Sequence, residues 1–358
     1  MEYTRILLIV MAFAVSLICG MLIIPLIVDF CKRKKLFDKP NSRKQHKTLI
    51  PRLGGVCFLP CMCISFFAAT GALFAMDGSD ANIKVSSFYL LAGAAMVYLI
   101  GLLDDVIEIS AKQKLAVQIF SACWLIIAGL YFNNLYGLFG IWEIPSCIGM
   151  PLTVFFVVAV DNAMNLIDGI DGLCAGLCIV ALAGFGVMFA NIGLWVYCVL
   201  IAGLIGVLLA YSFFNMVSKK RKIFMGDSGS LTLGYLLAVF FVKLSMNIPW
   251  LTPYDETRMI LASSFLIVPC LDVLRVMITR KRQHKALFCP DRNHIHHRLM
   301  DAGCTMRQAL GVILLLDLGI IAMNVLFVWQ NVQITFILIL DILMFISFFY
   351  GLQRVKSK

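Results

Sequence analysis

Charged side chains are scarce in this sequence. Asp, Glu, Lys and Arg make up 14% of the 358 residues, whereas apolar residues make up 61%. Soluble globular domains carry about 25% charged and about 45–50% apolar residues. A soluble fold of this length has too little interior for so many apolar side chains, and the composition also excludes disordered and fibrous proteins. The composition predicts a polytopic integral membrane protein.

Paired cysteine motifs, internal repeats and low-complexity segments are also absent from the sequence. The thirteen cysteines include no C-x-x-C pair, and most of them, such as Cys57, Cys61 and Cys63, lie in apolar runs. Buried cysteine behaves as a small hydrophobic residue. Only Cys147 falls clearly in an expected extracytoplasmic loop, so the sequence indicates no disulfide framework.

Long apolar runs dominate what is present. A helix needs about 20 apolar residues to cross a bilayer, and eleven segments meet this requirement. The first segment is longer than a signal peptide, contains Pro25 and lacks a small-residue cleavage site, so we interpret it as a span. The sequence thus predicts an all-α, single transmembrane domain over residues 1–358. The predicted spans are 6–29, 53–76, 85–103, 115–132, 149–167, 173–191, 192–217, 229–246, 258–278, 309–328 and 333–351.

The distribution of basic residues predicts the orientation of these spans. Most of the 30 Lys and Arg fall on one side of the predicted stack, in 31–52, 112–114, 219–222, 280–307 and the C-terminus. Cytoplasmic loops carry such an excess of Lys and Arg. The net charge of +10 is therefore interpreted as a topology signal, and no nucleic-acid partner is expected. An odd number of spans then places the N-terminus outside and the C-terminus in the cytoplasm.

The unusual polar residues all fall on the predicted cytoplasmic side. A charged side chain at the bilayer centre costs about 2.5–3.5 kcal/mol even on a lenient scale, so an interfacial position is expected for the acids. An acidic cluster within a basic loop surface indicates a divalent cation and an anionic substrate. The loops expected to carry the active site are 30–52, 104–114, 165–172, 218–228 and 279–308.

Two of the acidic motifs follow predicted spans. Asp104 and Asp105 are adjacent carboxylates that can hold Mg²⁺, although a solvated helix terminus is the alternative. Asn162, Asn165 and Asp168 are spaced three apart, so they share one helical face. Gly169 and Gly172 then allow the backbone to approach a ligand closely. The alternative for this second motif, which ends with Asp171, is a turn with capping residues.

Two further motifs precede predicted spans. Asp227 stands at an expected helix N-terminus, where it can hold a metal that bridges to phosphate or act as an ordinary N-cap. The run 290–297 combines Arg292 with three histidines, which suit hydrogen bonding to phosphate oxygens. A zinc site lacks ligands at typical spacing, and a solvated basic loop is the remaining alternative. Asp272 and Arg275 are expected to pair.

These motifs, taken in order, resemble the polyprenyl-phosphate N-acetylhexosamine-1-phosphate transferases, and the resemblance covers nearly the whole chain. Within that superfamily, Asp38-Lys-Pro-Asn41, Leu49-Ile-Pro51, Gly54-Gly55 and the run 290–297 resemble the WecA/TagO branch. The MraY branch, which makes a peptidoglycan precursor, has a three-His motif at the last position. Ile295 interrupts the histidines here, which argues against MraY.

The resemblance implies a reaction and its setting. A UDP-N-acetylhexosamine, expected to be UDP-GlcNAc, would donate its sugar 1-phosphate to undecaprenyl phosphate and release UMP. This step would start a surface polysaccharide of the O-antigen, common-antigen or teichoic-acid-linkage type, at the cytoplasmic face of a bacterial inner membrane. The expected partners are these two substrates and the lipid bilayer, with a homodimer left open. Direct displacement is preferred over a covalent phospho-aspartate intermediate, which stays an alternative.

The resemblance also implies roles for individual residues, with Mg²⁺ as the expected cofactor and Mn²⁺ as an alternative. Lys47 matches a phosphate-contacting lysine of related enzymes, whereas His46 is the match within the WecA branch. The catalytic set is Asp104, Asp105, Asp168 and Asp171; the metal set is Asp227, Asp104, Asp105 and Asn165; and the substrate-binding set is Lys47, His46, Asn162, Asn165, Arg292, His294, His296 and His297.

Other classes of protein explain less of the sequence. An MraY-like phospho-MurNAc-pentapeptide transferase is the first alternative. An ion-coupled transporter would place its ionisable residues near the midplane, often within inverted repeats. A prenyl-chain transferase of the UbiA kind would need a second acidic motif, which the 162–173 run does not match.

Overall fold

The computed structural model describes residues 2–38, 49–77, 85–247, 255–284 and 293–356. Helices dominate these ranges, and two short antiparallel hairpins accompany them. The helices are α1 (Glu2–Lys34), α2 (Phe58–Asp77), α3 (Val85–Ile107), α4 (Ala111–Ile127), α5 (Ser146–Ile167), α6 (Leu173–Asn191), α7 (Trp195–Ser212), α8 (Asp227–Ser245), α9 (Thr257–Ser264), α10 (Ile267–Arg282), α11 (Ile295–Asp301), α12 (Met306–Trp329) and α13 (Ile334–Lys356).

The helices confirm a polytopic, helical membrane protein. In the described part of the chain, nine helices are long and apolar enough to cross a membrane, or ten if the bent pair α9–α10 is one span. Helix α4 has 17 residues, so it is shorter than the predicted span 115–132. The predicted boundary near Asn191 is confirmed, because α6 ends there and α7 begins at Trp195.

The predicted span 258–278 is broken in the structure. Helices α9 and α10 meet at an angle of 71°, and Leu266 N donates to Ser263 O at 3.0 Å. Pro269 explains the break. A continuous helix would need the backbone N–H of residue 269 to donate to the carbonyl of Phe265, and proline has no N–H and clashes with that carbonyl.

Several predicted loops are shorter than expected. Only residues 108–110 separate α3 from α4, and α8 begins at Asp227, within the predicted loop 218–228. The predicted loop 279–308 contains the end of α10 and all of α11. Four short strands complete the fold: β1 (Phe37–Asp38) pairs with β2 (Ile50–Pro51), and β3 (Asn134–Leu138) pairs with β4 (Ile141–Glu143).

The chain forms two compact units, each made of two chain segments. The first unit comprises Met1–Gly129 and Phe185–Leu236, and the second comprises Leu130–Gly184 and Leu237–Lys358. In the first unit, α1 packs against α7 and α2. Gly20 allows close approach of α1 to α7, since an added Cβ would lie 2.7 Å from Ala210 Cβ. Small residues commonly permit such contacts between membrane helices.

The second unit brings helices from distant parts of the chain together. Helix α10 packs against α5, and α12 packs against α9 and α11. The hairpin β3–β4 contacts α9 and α13, and Phe139 N donates to Thr335 Oγ1 at 2.9 Å. This unit therefore contains the end of α5 and the start of α11, which carry two of the four predicted polar motifs.

Candidate active site

The last turn of α3 carries the predicted aspartate pair of the first unit. Asp104 and Asp105 stand three and two residues before the helix ends at Ile107. Glu108 follows in the left-handed region, with φ +54°. This turn of the chain lets Asp104 Oδ1 accept from the backbone N–H of Ile109 at 2.6 Å. The second oxygen of Asp104 points elsewhere, toward Lys114.

Asp105 binds the N-terminus of α8 instead of standing free. Its Oδ1 accepts from Asp227 N at 2.9 Å, and its Oδ2 accepts from Ser228 N at 3.0 Å. The first N–H groups of a helix have no partner within the helix, and Asp105, which is 5% exposed, satisfies two of them. Gly226 permits this contact: its φ is +75°, and an added Cβ would lie 2.5 Å from Asp105 Oδ2.

Lys114 lies between the two remaining carboxylates. Its Nζ is 3.0 Å from Asp104 Oδ2 and 2.7 Å from Asp227 Oδ2. Burial acts to lower the pKa of Lys114, but the nearby Asp227 and Asp104 carboxylates outweigh burial and raise that pKa above its ordinary value. We call Asp104, Asp105, Lys114 and Asp227 the aspartate–lysine cluster.

The aspartate–lysine cluster fits a magnesium ion that is shared with a substrate. Throughout the described ranges, no three His, Cys, Asp or Glu side chains converge as a metal-binding group. Mg²⁺ does not need such a group, because it is commonly held by one or two carboxylates together with waters and substrate phosphates. Asp104 and Asp227 already converge on one cationic group, Lys114 Nζ. Asp105 has both oxygens bonded to backbone N–H groups, so it is less suited to be a direct ligand.

In the second unit, Asp272 organises the predicted histidine motif. Its Oδ1 accepts from Arg275 Nη2 at 2.9 Å and from Ile295 N at 3.0 Å, while its Oδ2 lies 2.8 Å from His294 Nδ1. The predicted pairing of Asp272 with Arg275 is confirmed. The contact with His294 and with the first residue of α11 was not predicted, and it links α10 to the histidines.

Arg275 also contacts residues other than Asp272. Its guanidinium stands 4.1 Å from the ring centroid of Phe349, and its Nη2 also donates to the carbonyl of Asn293. Arg298 Nη2 donates to the side chain of Asn293 at 2.8 Å. These bonds hold the residues directly before α11, so the first histidine has a defined position.

His296 is buried beside the predicted glycine turn. It is 1% exposed, and an alanine Cβ at Gly169 would collide with its imidazole ring. Neither ring nitrogen has a hydrogen-bond partner among the described residues. Burial, and then the neighbouring His297 and His294, lower the pKa of His296 to about 3. His296 is therefore neutral near pH 7, and its two buried ring nitrogens have no partner among the described residues. We call Asp272, Arg275, His294, His296 and His297 the histidine cluster.

The amide and acid motif of the second unit lies at the end of α5. Asn162 and Asn165 share a face of this helix, and Asp168 follows its last residue. Asn162 Nδ2 donates to Val158 O of its own helix at 2.8 Å. Asn165, Asp168 and Asp171 are half-buried, and Gly172 turns the chain with φ +78°. The turn contacts the histidine cluster through Gly169 and His296.

Three predicted site residues, His46, Lys47 and Arg292, lie outside the described residues. Conversely, sequence reasoning missed Arg52, Lys114 and Asp272 as site residues. In the sequence, Lys114 and Arg52 resemble topology signals, and Asp272 resembles half of a local ion pair. Lys114 follows a Ser110–Gln113 capping box that starts α4, and this box was the signal that could have placed it in a first helical turn beside the aspartate pair.

Comparison with known proteins finds both a matching family and close relatives. The model of "Glycosyl transferase family 4" matches residues 87–245. An Escherichia coli O157:H7 protein named "Undecaprenyl-phosphate alpha-N-acetylglucosaminyl 1-phosphate transferase" is 33% identical over 90% of this chain and 85% of its own. A Bacillus subtilis protein named "Probable undecaprenyl-phosphate N-acetylglucosaminyl 1-phosphate transferase" is 31% identical over 99% of this chain and 95% of its own.

Proposed function

Because this chain belongs to the family of undecaprenyl-phosphate N-acetylglucosaminyl 1-phosphate transferases, we propose that it transfers N-acetylglucosamine 1-phosphate to undecaprenyl phosphate. The donor is UDP-GlcNAc and the second product is UMP. The observation that carries this proposal is the identity of 33% over 90% of the chain. The reaction is the initiating membrane step of a cell-surface polysaccharide.

The chemistry requires the approach of two anions. A phosphate oxygen of undecaprenyl phosphate attacks the phosphorus that bears the sugar, and the bond from that phosphorus to the UMP oxygen breaks. The attacking monoester has a second pKa near 6, so it is largely dianionic at neutral pH and needs little deprotonation. The protein must therefore supply positioning and charge neutralisation. We keep direct displacement as the mechanism.

The aspartate–lysine cluster supports a metal-dependent reaction of this kind. We propose that Asp227 and Asp104 hold Mg²⁺, which neutralises charge on the diphosphate when bound. Lys114, whose ammonium lies between the same two carboxylates here, would move aside for the metal and contribute its positive charge beside it. Asp105 fixes the start of α8, and with it the backbone of Asp227. The proposed role of Asp105 is thus to position the metal ligand.

We propose that the histidine cluster hydrogen-bonds the substrates, with His296 as a donor to phosphate oxygens and His294 as an acceptor through Nε2. His294 is oriented by Asp272. Asp272 accepts hydrogen bonds from Arg275 and Ile295, and with Asp272 as acceptor again, His294 Nδ1 is the donor in this contact. The other nitrogen, Nε2, is then directed away from Asp272. His296 is neutral and can donate from either ring nitrogen, depending on its tautomer. Asn165, Asp168 and Asp171 are proposed to contact the nucleotide.

For the membrane arrangement, we propose eleven spans, with α4 and the bent pair α9–α10 each counted as one. The excess of Lys and Arg places the N-terminus outside and the C-terminus and both clusters on the cytoplasmic side of the inner membrane. Labelling of single cysteines at residues 142 and 281 with an impermeant maleimide tests this arrangement. Labelling of intact cells at 142 alone is expected, and labelling at 281 alone would reverse the orientation.

The reaction is tested with purified protein, undecaprenyl phosphate and Mg²⁺, with radiolabelled UDP-GlcNAc, UDP-GalNAc and UDP-MurNAc-pentapeptide offered separately as donors. Label in the lipid fraction with an equal amount of released UMP is expected from UDP-GlcNAc. Asp227→Asn should abolish both signals, whereas Glu143→Gln, at an exposed position of β4, should retain them. Release of UDP instead would refute phosphosugar transfer, and turnover only with UDP-MurNAc-pentapeptide would make the chain an MraY-like enzyme.

A further inference from the structure

We propose that Arg52 is a positioning residue for the phosphosugar transfer, acting through the backbone of the aspartate pair. This inference rests on the proposed function, because it concerns the residues assigned there to the metal. Arg52 lies directly after β2, in the first unit, and is half-buried. Its guanidinium reaches α3, which is more than fifty residues away in the sequence.

The contact is directed at the end of α3. Arg52 Nε and Nη2 donate to Asp105 O at 3.0 and 2.9 Å, and Nη2 also donates to Asp104 O at 3.3 Å. The last carbonyl groups of a helix lack partners within the helix and carry partial negative charge. Asp105 O is such a group, whereas Asp104 O also accepts from Glu108 N at 3.1 Å. A guanidinium satisfies them with a planar fork that an ammonium group cannot reproduce. Arg52 thereby fixes the backbone from which both aspartates project.

The segment around Arg52 is also bonded to the chain that enters α8. Phe224 N donates to Pro51 O at 2.8 Å, Gly54 N donates to Phe224 O at 2.9 Å, and Gly55 N donates to Met225 O at 2.7 Å. These three bonds flank Arg52 on both sides. The backbone on both sides of Arg52 is therefore bonded to the segment before α8, and the side chain of Arg52 is bonded to the end of α3.

A closed set of contacts results. The side chain of Arg52 holds the backbone of Asp105, the carboxylate of Asp105 holds the backbone N–H groups of Asp227 and Ser228, and the chain before α8 is bonded to the neighbours of Arg52. Gly226 sits inside this set, because an added Cβ would collide with Arg52 O. Loss of the guanidinium removes the bonds from Arg52 to the backbone at the end of α3 and leaves the other contacts in place. The expected consequence is a displaced Asp227 and Asp104 pair, with the protein still folded.

Arg52 is expected to act on turnover more than on substrate binding. A displacement of catalytic groups by about 1 Å can cost about 100-fold in rate. We therefore expect Arg52→Ala to lower kcat by about 100-fold and to change KM for UDP-GlcNAc by less than about threefold. Arg52→Lys should remain impaired, because it keeps the charge but loses the fork. Arg33→Ala, at an exposed position in the last turn of α1, is the matched control.

Two measurements distinguish positioning from general loss of structure. Free guanidinium at millimolar concentration should partly restore kcat in Arg52→Ala, but not in Asp105→Ala, where the carboxylate itself is missing. Hydrogen exchange should become faster in peptides that cover 104–110 and 223–230, with peptides of α7 unchanged. Arg52→Lys supplies the same exchange measurement if the alanine variant does not fold.

The outcomes separate this inference from the proposed function. Normal kcat together with unchanged exchange in Arg52→Ala would overturn the positioning role. If Arg52→Ala exchanges faster in the named peptides but the wild-type protein releases no UMP from UDP-GlcNAc, the proposed function is refuted. The structural role of Arg52 then remains intact. A parallel loss of exchange protection over the whole first unit would show a general structural role, which also overturns the inference.

Discussion

Replacement of Asp272 by Asn is expected to disable the histidine cluster while the second unit stays folded. Asp272 is fully buried, and its two oxygens have different tasks. Oδ1 accepts from Arg275 Nη2 and Ile295 N, whereas Oδ2 faces His294 Nδ1. Two donors at Oδ1 will select that position for the amide oxygen of Asn. The NH₂ group must then face His294.

This orientation changes the tautomer of His294. A donor opposite Nδ1 requires that Nδ1 accept, so the ring proton moves to Nε2, and the nitrogen that pointed away from residue 272 changes from acceptor to donor. A catalytic histidine held in the wrong tautomer can cost up to about 10⁴-fold in kcat. We expect a loss of about 10²- to 10⁴-fold for Asp272→Asn.

The folding cost should be smaller for Asn than for Ala. Asp272→Ala leaves Arg275 without its buried anionic partner, a change that typically costs about 3–5 kcal/mol. Asp272→Asn keeps one acceptor where two donors converge, so a cost of about 1–3 kcal/mol is expected. Thermal unfolding in detergent and UMP release measure the two effects on the same samples. Glu143→Gln is the control, and an Asp272→Asn enzyme with kcat within about threefold of wild type would refute this reasoning.

Three further predictions concern Lys114, Gly169 and His296. Lys114→Met should lower UMP release by about 10²- to 10³-fold, because one preorganised positive charge is lost; an unchanged rate would exclude Lys114 from the site. Gly169→Ala should destabilise the protein by about 1–3 kcal/mol in thermal unfolding, since the new Cβ collides with His296; full stability would show that the imidazole can move freely. His296 has a pKa of about 3 when folded and 6.5 ordinarily, so the unfolded state binds more protons between these values. Stability should therefore fall as pH decreases from about 6.5 toward 3, and His296→Gln should flatten this slope in a pH series of thermal midpoints; an equal slope would contradict the buried neutral form.

The helical framework could be predicted from the sequence because long apolar runs permit few alternatives in a membrane. Backbone groups in a bilayer must be bonded within the segment, which makes helices the expected form. Each of the eleven predicted segments contains a helix in the structure. Two of these helices differ from the predicted spans, and each difference has a local cause. Pro269 breaks the segment 258–278, and the hairpin 134–143 follows a short helix in a stretch with no clear period.

The site could be predicted only in part, because local patterns identify reactive residues but not their partners. Asp104, Asp227 and His294 were recognised from motifs, and the structure gives each of them a close charged neighbour. Those neighbours, Lys114 and Asp272, stand apart from the motifs and resemble ordinary span-end residues in the sequence. Asp105 and Asp227, which are hydrogen-bonded in the structure, are separated by 122 residues in the sequence.

Both clusters contain one aspartate whose task is to bind the N-terminus of a helix from another part of the chain. Asp105 does this for α8, and Asp272 for the first residue of α11. The side chain at the start of each helix, Asp227 or His294, therefore does not cap its own helix. Asp227 contacts Lys114 instead, and His294 contacts Asp272. The position of a carboxylate next to a reactive residue in the sequence therefore does not predict the role of that carboxylate. Adjacent Asp104 and Asp105 illustrate this. Asp104 contacts Lys114, whereas Asp105 accepts from the backbone N–H of Asp227, whose side chain contacts the same lysine.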